Sequence, residues 1–222
     1  MRSITVKGVG SVSVKPDYIT LSLSISTQEK IYDDALQKAT EKISRLAAAS
    51  QKAGFETGDL KTTSFNVSTS YESVVDHNGN YRHEFAGYNC SYCLTLSFDL
   101  DSLRLAVLLS AISNSRANPE IRISFTVKDA SKVSEDLLIS AVKNAQAKAE
   151  ILCRASGAVL GDLQSIDYDW GELNVVSKTV FEMEDGIPPL RTFNELSALT
   201  SSRIEPDTME LHDTATFVWE IT

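Results

Sequence analysis

The most regular hydrophobic spacing in the chain lies between Ser131 and Gly161. Apolar residues recur there at steps of four and three, which places them on one face of an α-helix: Val133, Leu137, Ala141, Ala145, Ala149 and Leu152. Gly157 follows at the point where a left-handed residue would end the helix. The pattern predicts a long amphipathic helix with one buried face and no chemistry of its own.

Two further helices are predicted by the same spacing. Residues 30–53 place an apolar stripe on one face, with Gly54 just beyond the last turn. Asp101 stands where it would cap a shorter helix that runs out near Asn114. The chain therefore contains two long helices and a short one.

Alternating apolar and polar residues predict strands on both sides of these helices. The clearest are residues 4–14, 19–25, 121–127, 166–170 and 214–221. Gly8 and Gly10 interrupt the first of them, so we expect a bend or a bulge at the glycines. The letters Gly8-Val9-Gly10 do not open a nucleotide-binding loop, because Ser13 stands where a third glycine would begin a helix.

A long hairpin is predicted between the first long helix and the short one. Residues 62–75 and 84–100 alternate as strands, and Asn78-Gly79 between them is a strong turn signal. Two-stranded arms of this length present exposed edges.

The chain contains an internal sequence repeat. Pro16-Asp17 precedes a strand, a helix and Gly54, and Pro119-Glu120 precedes a second strand, helix and glycine, Gly157. We infer a duplicated strand-helix-strand (βαβ) unit at residues 16–66 and 119–170, in which each helix crosses between parallel strands of a mixed sheet.

These elements predict an α+β protein, with residues 1–222 forming a single domain of one body or two lobes. Residues 171–203 are a variable insertion, either an extended hairpin or a partly mobile flap. Val175, Val180 and Phe181 would lie in one arm of that hairpin, and Leu190, Phe193, Leu196 and Leu199 in the other.

Charge and composition restrict the partners. The net charge of −9 repels phosphate backbones and anionic membrane surfaces, so neither nucleic acid nor membrane is expected as a partner. The residues after Met1 alternate at once, with no apolar signal core and no run long enough to span a bilayer. We expect a cytoplasmic protein, unless an export signal has been removed.

The three cysteines, Cys90, Cys93 and Cys153, are an odd set that does not suit a disulfide framework. Cys90-Ser91-Tyr92-Cys93 has the letters of a redox or zinc motif. Strand alternation sends the two thiols to opposite faces, and further zinc ligands are lacking, so we interpret the cysteines as bystanders.

Other candidate residues favour structural interpretations. His77 and His83 flank the hairpin turn beside Asp76 and Glu84, where solvated turn residues are commoner than metal ligands. His212 stands with Asp213 and Glu210 but without a serine nucleophile motif. The acidic run 182–186 is typical of a solvated loop. Tyr88 and Tyr92 share a strand face with Cys90, where packing is the default. We predict no catalytic, cofactor-binding or metal-binding residue and no cofactor.

Several segments together resemble the SIMPL-domain family. They are residues 4–10 with Pro16-Asp17, Ala86-Gly87-Tyr88, the alanine-rich helix with Ala145, Lys148, Ala149 and Leu152 before Gly157, Gly161-Asp162-Leu163, and Ile204-Glu205-Pro206. The resemblance covers nearly the whole chain. It implies a shared fold, a tendency to self-associate and a loose link to stress tolerance or signalling; the bacterial members are mostly uncharacterised and often exported.

The leading functional hypothesis is a non-enzymatic, self-associating interaction or scaffold protein, which would form homo-oligomers and take a protein partner. The alternative is a small-molecule or metal-binding protein, or a hydrolase, with its site near the hairpin and residues 171–203.

Overall fold

The structure is a computed structural model that describes residues 2–75, 81–168, 175–183 and 205–222. Within these ranges the chain forms, in order, β1 (Arg2–Val14), β2 (Tyr18–Glu29), α1 (Tyr32–Lys52), β3 (Lys61–Val75), β4 (Tyr81–Asp99), α2 (Ser102–Asn114), β5 (Glu120–Thr126), α3 (Ala130–Ser156), β6 (Leu160–Tyr168), β7 (Val176–Met183) and β8 (Met209–Ile221). The strands lie in two antiparallel sheets. The predicted α+β class, the long hairpin and the two long helices are confirmed.

The chain divides into two compact units. The first consists of Met1–Asp17, Thr126–Lys178 and Pro206–Thr222, and the second of Tyr18–Phe125 and Thr179–Glu205. The first unit therefore combines the N-terminal strand with two segments from the C-terminal half of the chain.

In the first unit, β8 lies between β1 and β6. β1 pairs with β8 without interruption, from Arg2 opposite Ile221 to Val14 opposite Met209. Of the predicted bend or bulge at Gly8 and Gly10, the bulge is therefore wrong. The glycines instead let α3 approach the strand. A Cβ atom placed on Gly8 would lie 2.3 Å from the carbonyl oxygen of Ala141, and one on Gly10 would lie 2.2 Å from that of Leu137.

α3 has the predicted buried face with one exception. Val133, Leu137, Ala141, Ala145 and Ala149 are buried, but the next buried residue is Cys153, and Leu152 is 50% exposed. Cys153 continues the step of four from Ala149, so the helix keeps one stripe to its end. Gly157 ends the helix as predicted, with φ of 75° in the left-handed region.

α3 also covers the outer edge of β1. The side-chain oxygen of Asn144 accepts a hydrogen bond from the Val9 amide (3.0 Å), and the Ser140 hydroxyl accepts one from the Ser11 amide (3.1 Å). The Lys148 ammonium donates to the Lys7 carbonyl (3.1 Å). Backbone groups that a strand edge would leave open are therefore bonded to the helix.

In the second unit the sheet order is β3-β4-β2-β5-β7. One face of β2, β4 and β5 is largely apolar, and Leu46 of α1 packs on it together with four buried residues of α2, namely Leu105, Leu108, Leu109 and Ile112. α2 begins as predicted, because the Asp101 carboxylate accepts hydrogen bonds from the amides of Leu103 and Arg104 (2.9 and 3.0 Å).

The predicted duplicated βαβ arrangement with a mixed sheet is not what forms. β2 and β3 do run in the same direction, but β4 lies between them and is antiparallel to both. β5 and β6, the two strands on either side of α3, belong to different sheets. The predicted repeat at residues 119–170 therefore has no crossover within one sheet, and each sheet of the described residues is antiparallel.

Of the predicted insertion at residues 171–203, the structure describes residues 175–183. Val175, Val180 and Phe181 lie in or beside β7, as the first arm of the predicted hairpin requires. The second arm, with Leu190, Phe193, Leu196 and Leu199, lies outside the described residues.

Candidate functional site

The feature that stands out in the second unit is the hairpin of β3 and β4, here called the arm (residues 61–75 and 81–99). β3 is the end strand of its sheet, so within the described residues its outer amides and carbonyls have no partner strand. Nearly every side chain of β3 is exposed. A long open edge of this kind is a template for a further strand.

Aromatic side chains line one face of the arm. Phe65 packs on Tyr92 with ring centroids 4.5 Å apart, and Tyr71 meets Phe85 at 6.0 Å. Phe85 continues to Tyr88 at 5.3 Å, and Tyr88 meets Tyr32 of α1 at 5.7 Å. Cys90, Val67, Tyr88 and Tyr92 also pack with Ala35 and Ala39 of α1. The predicted shared face of Tyr88, Tyr92 and Cys90 is therefore confirmed.

This face remains open towards the edge of the sheet. Tyr71 is 58% exposed, Phe65 49% and Phe85 47%, and Tyr81 near the turn is 79% exposed. Paired aromatic rings left half in water at a strand edge are typical of a contact surface.

The opposite face of the same sheet carries small polar residues. Thr20 and Ser97 hydroxyls lie 3.2 Å apart, and the Ser26 hydroxyl donates to the side-chain oxygen of Asn89 at 2.7 Å. This face offers hydroxyl and amide groups rather than apolar area.

The three cysteines are free thiols and lie in different surroundings. Cys90 is fully buried, and burial raises the pKa of its thiol. Cys93 is half-buried on the polar face, where the Ser24 hydroxyl lies 4.0 Å from its sulfur. Cys153 is buried in α3. Among the described residues no group of three or more His, Cys, Asp or Glu side chains is placed to hold a metal ion.

The histidines and acids singled out in the sequence are not brought together. His83 lies exposed in β4, with its Nδ1 3.3 Å from the Ser73 hydroxyl, while Asp76 and His77 lie outside the described residues. His212 is exposed in β8 opposite Ser11. Its neighbours serve other contacts: Asp213 accepts a hydrogen bond from the Tyr168 hydroxyl (2.8 Å), and Glu210 accepts one from Ser13 (2.6 Å).

Two grooves of the second unit carry charge. One, of about 400 Å³, runs between the end of β2 and α1 and contains Lys38, Lys42 and Arg45 with Glu29 and Glu41. Glu29 binds Lys38 and, by that hydrogen bond and its charge, raises the pKa of Lys38. The other groove, of about 240 Å³, contains Glu120, Arg122 and Glu182. Arg122 pairs with Glu182 at 2.7 Å, which places the first residue of the predicted acidic run in an exposed ion pair.

Sequence reasoning predicted the arm and an exposed edge, but it did not predict that β3 forms this edge or that aromatic side chains beside it are exposed. A usable signal was present: seven of the thirteen residues from 61 to 73 are serine or threonine, a composition that suits an end strand better than a central one. The contact between Tyr32 and Tyr88 had no local signal, because the two residues are far apart in the chain.

No helix in the described ranges combines the length and the apolar character that crossing a bilayer demands.

The "26 kDa periplasmic immunogenic protein" of Brucella melitensis biotype 1 is 29% identical to this chain over 163 residues, which are 73% of the chain and 65% of that relative. The protein of the same name from Brucella abortus is 28% identical over the same shares. The matched part of the chain thus spans about 65% of the length of these curated relatives.

A family model covers nearly all of the chain. The model described as "SIMPL: Protein of unknown function (DUF541)" matches residues 4–219. That span begins within β1, ends within β8 and includes the nine described elements between them. The chain therefore belongs to the SIMPL family.

Proposed function

We propose that this chain is a non-enzymatic, self-associating interaction protein and that the arm is its contact surface. The observation that carries the proposal is the open outer edge of β3 beside the half-exposed rings of Phe65, Tyr71 and Phe85. A partner strand would bond to the free amides and carbonyls and cover these rings in the same step.

The exposed rings of the arm offer apolar area that a partner would cover. A buried aromatic side chain removes about 150–250 Å² from water, so covering the exposed half of one ring is worth about 2 kcal/mol. Several such rings lie along the arm. Backbone hydrogen bonds add the alignment that apolar contact alone does not supply.

The non-enzymatic part of the proposal rests on the contacts that several acidic and basic groups make. Asp213 and Glu210 are engaged by Tyr168 and Ser13, and the charges of the grooves pair as Lys38 with Glu29 and Arg122 with Glu182. These contacts give the named acids and bases structural partners.

Sedimentation velocity over a wide range of protein concentration tests the proposal. We expect a concentration-dependent oligomer in the wild type and its weakening in the double variant Phe65→Ser, Tyr71→Ser. The matched control is Leu103→Ser with Ile139→Ser, which removes exposed apolar side chains of two helices and leaves the arm intact. A wild type that stays monomeric at every concentration would overturn the proposal.

The competing class is a small-molecule or metal-binding protein, or a hydrolase, with a site near the arm and residues 171–203. Metal analysis of the purified native protein and a panel of hydrolase substrates address it directly. A stoichiometric metal ion or a turnover that follows the protein through purification would favour this class over the one proposed.

Cellular location is a separate question. The sequence predicts a cytoplasmic protein unless an export signal has been removed, whereas the names of the two relatives place those proteins in the periplasm. Fractionation of the native organism, with the endogenous protein detected by antibody, decides between the two compartments.

A further inference from the structure

We propose that two copies of this chain join their β3 strands antiparallel about a two-fold axis at Val67, so that Lys61 of each copy lies opposite Glu72 of the other. This inference rests on the proposed self-association and specifies its partner and its register.

The two faces of β3 limit the registers that are possible. Phe65 contacts Tyr92, and Tyr71 contacts Phe85. Val67 packs with Ala35 and Ala39 of α1. All three residues of β3 therefore lie on the aromatic face of the arm. Residues directly opposite each other in an antiparallel pair point to the same side of the sheet. A two-fold axis perpendicular to the sheet must therefore pass through a residue rather than between two residues.

An irregularity in β3 determines how the register continues towards its start. Thr62 pairs with Leu94 and Ser64 with Cys93, so Thr63 is an extra residue on the β3 side. The bulge brings Lys61 to the polar face, which is also the face of Glu72. Both formal charges of β3 therefore lie on one side of the sheet, near opposite ends of the strand.

With the axis at Val67, the positive charge of each copy lies opposite the negative charge of the other. Phe65 lies opposite Thr69 of the second copy and Ser64 opposite Ser70. Once Thr63 is passed over as the bulged residue, Thr62 meets Tyr71 and Lys61 meets Glu72. The symmetric dimer then contains two ion pairs, one at each end of the joined strands.

Neighbouring registers lose these pairs. The smallest shift that keeps the faces moves the axis by two residues. An axis at Phe65 would place Lys61 opposite Ser68, and an axis at Thr69 would place Glu72 opposite Asn66. Opposite charges across strands stabilise a register and like charges oppose it.

The aromatic face supports the same register. Phe65 of one copy becomes the diagonal neighbour of Tyr71 of the other, a separation that aromatic side chains can bridge. Both rings are about half exposed in the single chain. One register thus pairs the charges on one face and brings together the exposed rings on the other.

Charge reversal tests the register because the symmetry gives an unusual signature. Lys61→Glu alone would oppose two carboxylates at each end of the dimer, and Glu72→Lys alone would oppose two ammonium groups. We expect each variant to raise the dimer dissociation constant about tenfold. An equimolar mixture of the two variants restores both ion pairs in the mixed dimer, and the double variant restores them in its own dimer.

Analytical ultracentrifugation with one variant fluorescently labelled measures the mixed dimer directly. Arg154→Glu and Glu135→Lys make the same changes of charge on the exposed surface of α3 and serve as controls. Circular dichroism checks that every variant is folded, which we expect because Lys61 and Glu72 are exposed.

The outcomes separate the two proposals. Weak association of each variant with recovery in the mixture supports the register. A self-associating wild type whose β3 variants behave like the controls overturns the register and leaves self-association standing. A monomeric wild type overturns both.

Discussion

Gly8 and Gly10 show how much a single missing side chain can decide. Each glycine lies beside a backbone carbonyl of α3, so closely that an added Cβ atom would overlap with the carbonyl oxygen. The sequence marked the two positions as unusual, but it could not distinguish a bent strand from a strand on which a helix sits closely. That distinction depends on residues more than a hundred positions away.

We predict that Gly8→Ala and Gly10→Ala each lower the free energy of unfolding by about 2–3 kcal/mol, because the added methyl group meets backbone that cannot rotate away. Urea denaturation measures the change. Gly58→Ala is the matched control, since a Cβ atom there has no neighbour within 4 Å. Equal effects at Gly8 and Gly58 would contradict the prediction.

The cysteines give a second prediction at this scale. We expect Ellman's reagent to modify Cys93 first in the folded protein, because it is half-buried whereas Cys90 and Cys153 are buried. Burial also raises the pKa of Cys90, so less of its reactive thiolate is present at a given pH. The variant Cys93→Ser should lack the fast phase, and a fast phase that persists in it would contradict the assignment.

The same raised pKa has a consequence for stability. A folded pKa above the unfolded value of about 8.5 means that the neutral thiol favours the folded state below that pH. The advantage is lost as the pH rises through the folded pKa. We expect the difference in unfolding free energy between wild type and Cys90→Ala to shrink above about pH 9.

Among the elements, α3 does two tasks at once. Its alanine stripe packs on the sheet of the first unit, and its polar residues Ser140, Asn144 and Lys148 bond to the outer edge of β1. Periodicity predicted the first task, because a buried face leaves a repeating pattern. The second left no pattern, since serine, asparagine and lysine are equally common on a solvated face.

Hydrogen exchange tests this edge protection. We expect Asn144→Ala to speed exchange of the Val9 amide about fivefold and to cost about 1 kcal/mol of stability, the usual value of one hydrogen bond. Lys143→Ala, an exposed neighbour on the same helix, should leave the Val9 amide unchanged. Unchanged exchange in both variants would show that Asn144 does not protect the strand.

On the scale of the whole molecule, local patterns predicted the elements well and their partners poorly. The helix bounds, the Asp101 cap and the hairpin follow from residues close together in the chain. The pairing of β1 with β8 joins the two ends of the chain, and nothing in either strand specifies the other. The internal repeat therefore predicted parallel neighbouring strands where the structure has antiparallel ones.

The overall charge yields a prediction about partners. With a net charge of −9, we expect no binding to duplex DNA or to anionic lipid vesicles at physiological salt. Fluorescence anisotropy with labelled DNA and vesicle co-sedimentation measure the two cases, and neutral vesicles serve as the control. Salt-sensitive binding to either anionic surface would point to a local basic patch that outweighs the total charge.

The contact of α3 with the outer edge of β1 also affects fibril formation. Fibrils lengthen when an incoming chain docks on amides that are still vacant, and at β1 the amides of Val9 and Ser11 are already occupied. Seeding through this border of the molecule would first require the helix to peel away, so the N-terminal strand is insulated from templated aggregation for as long as α3 stays seated.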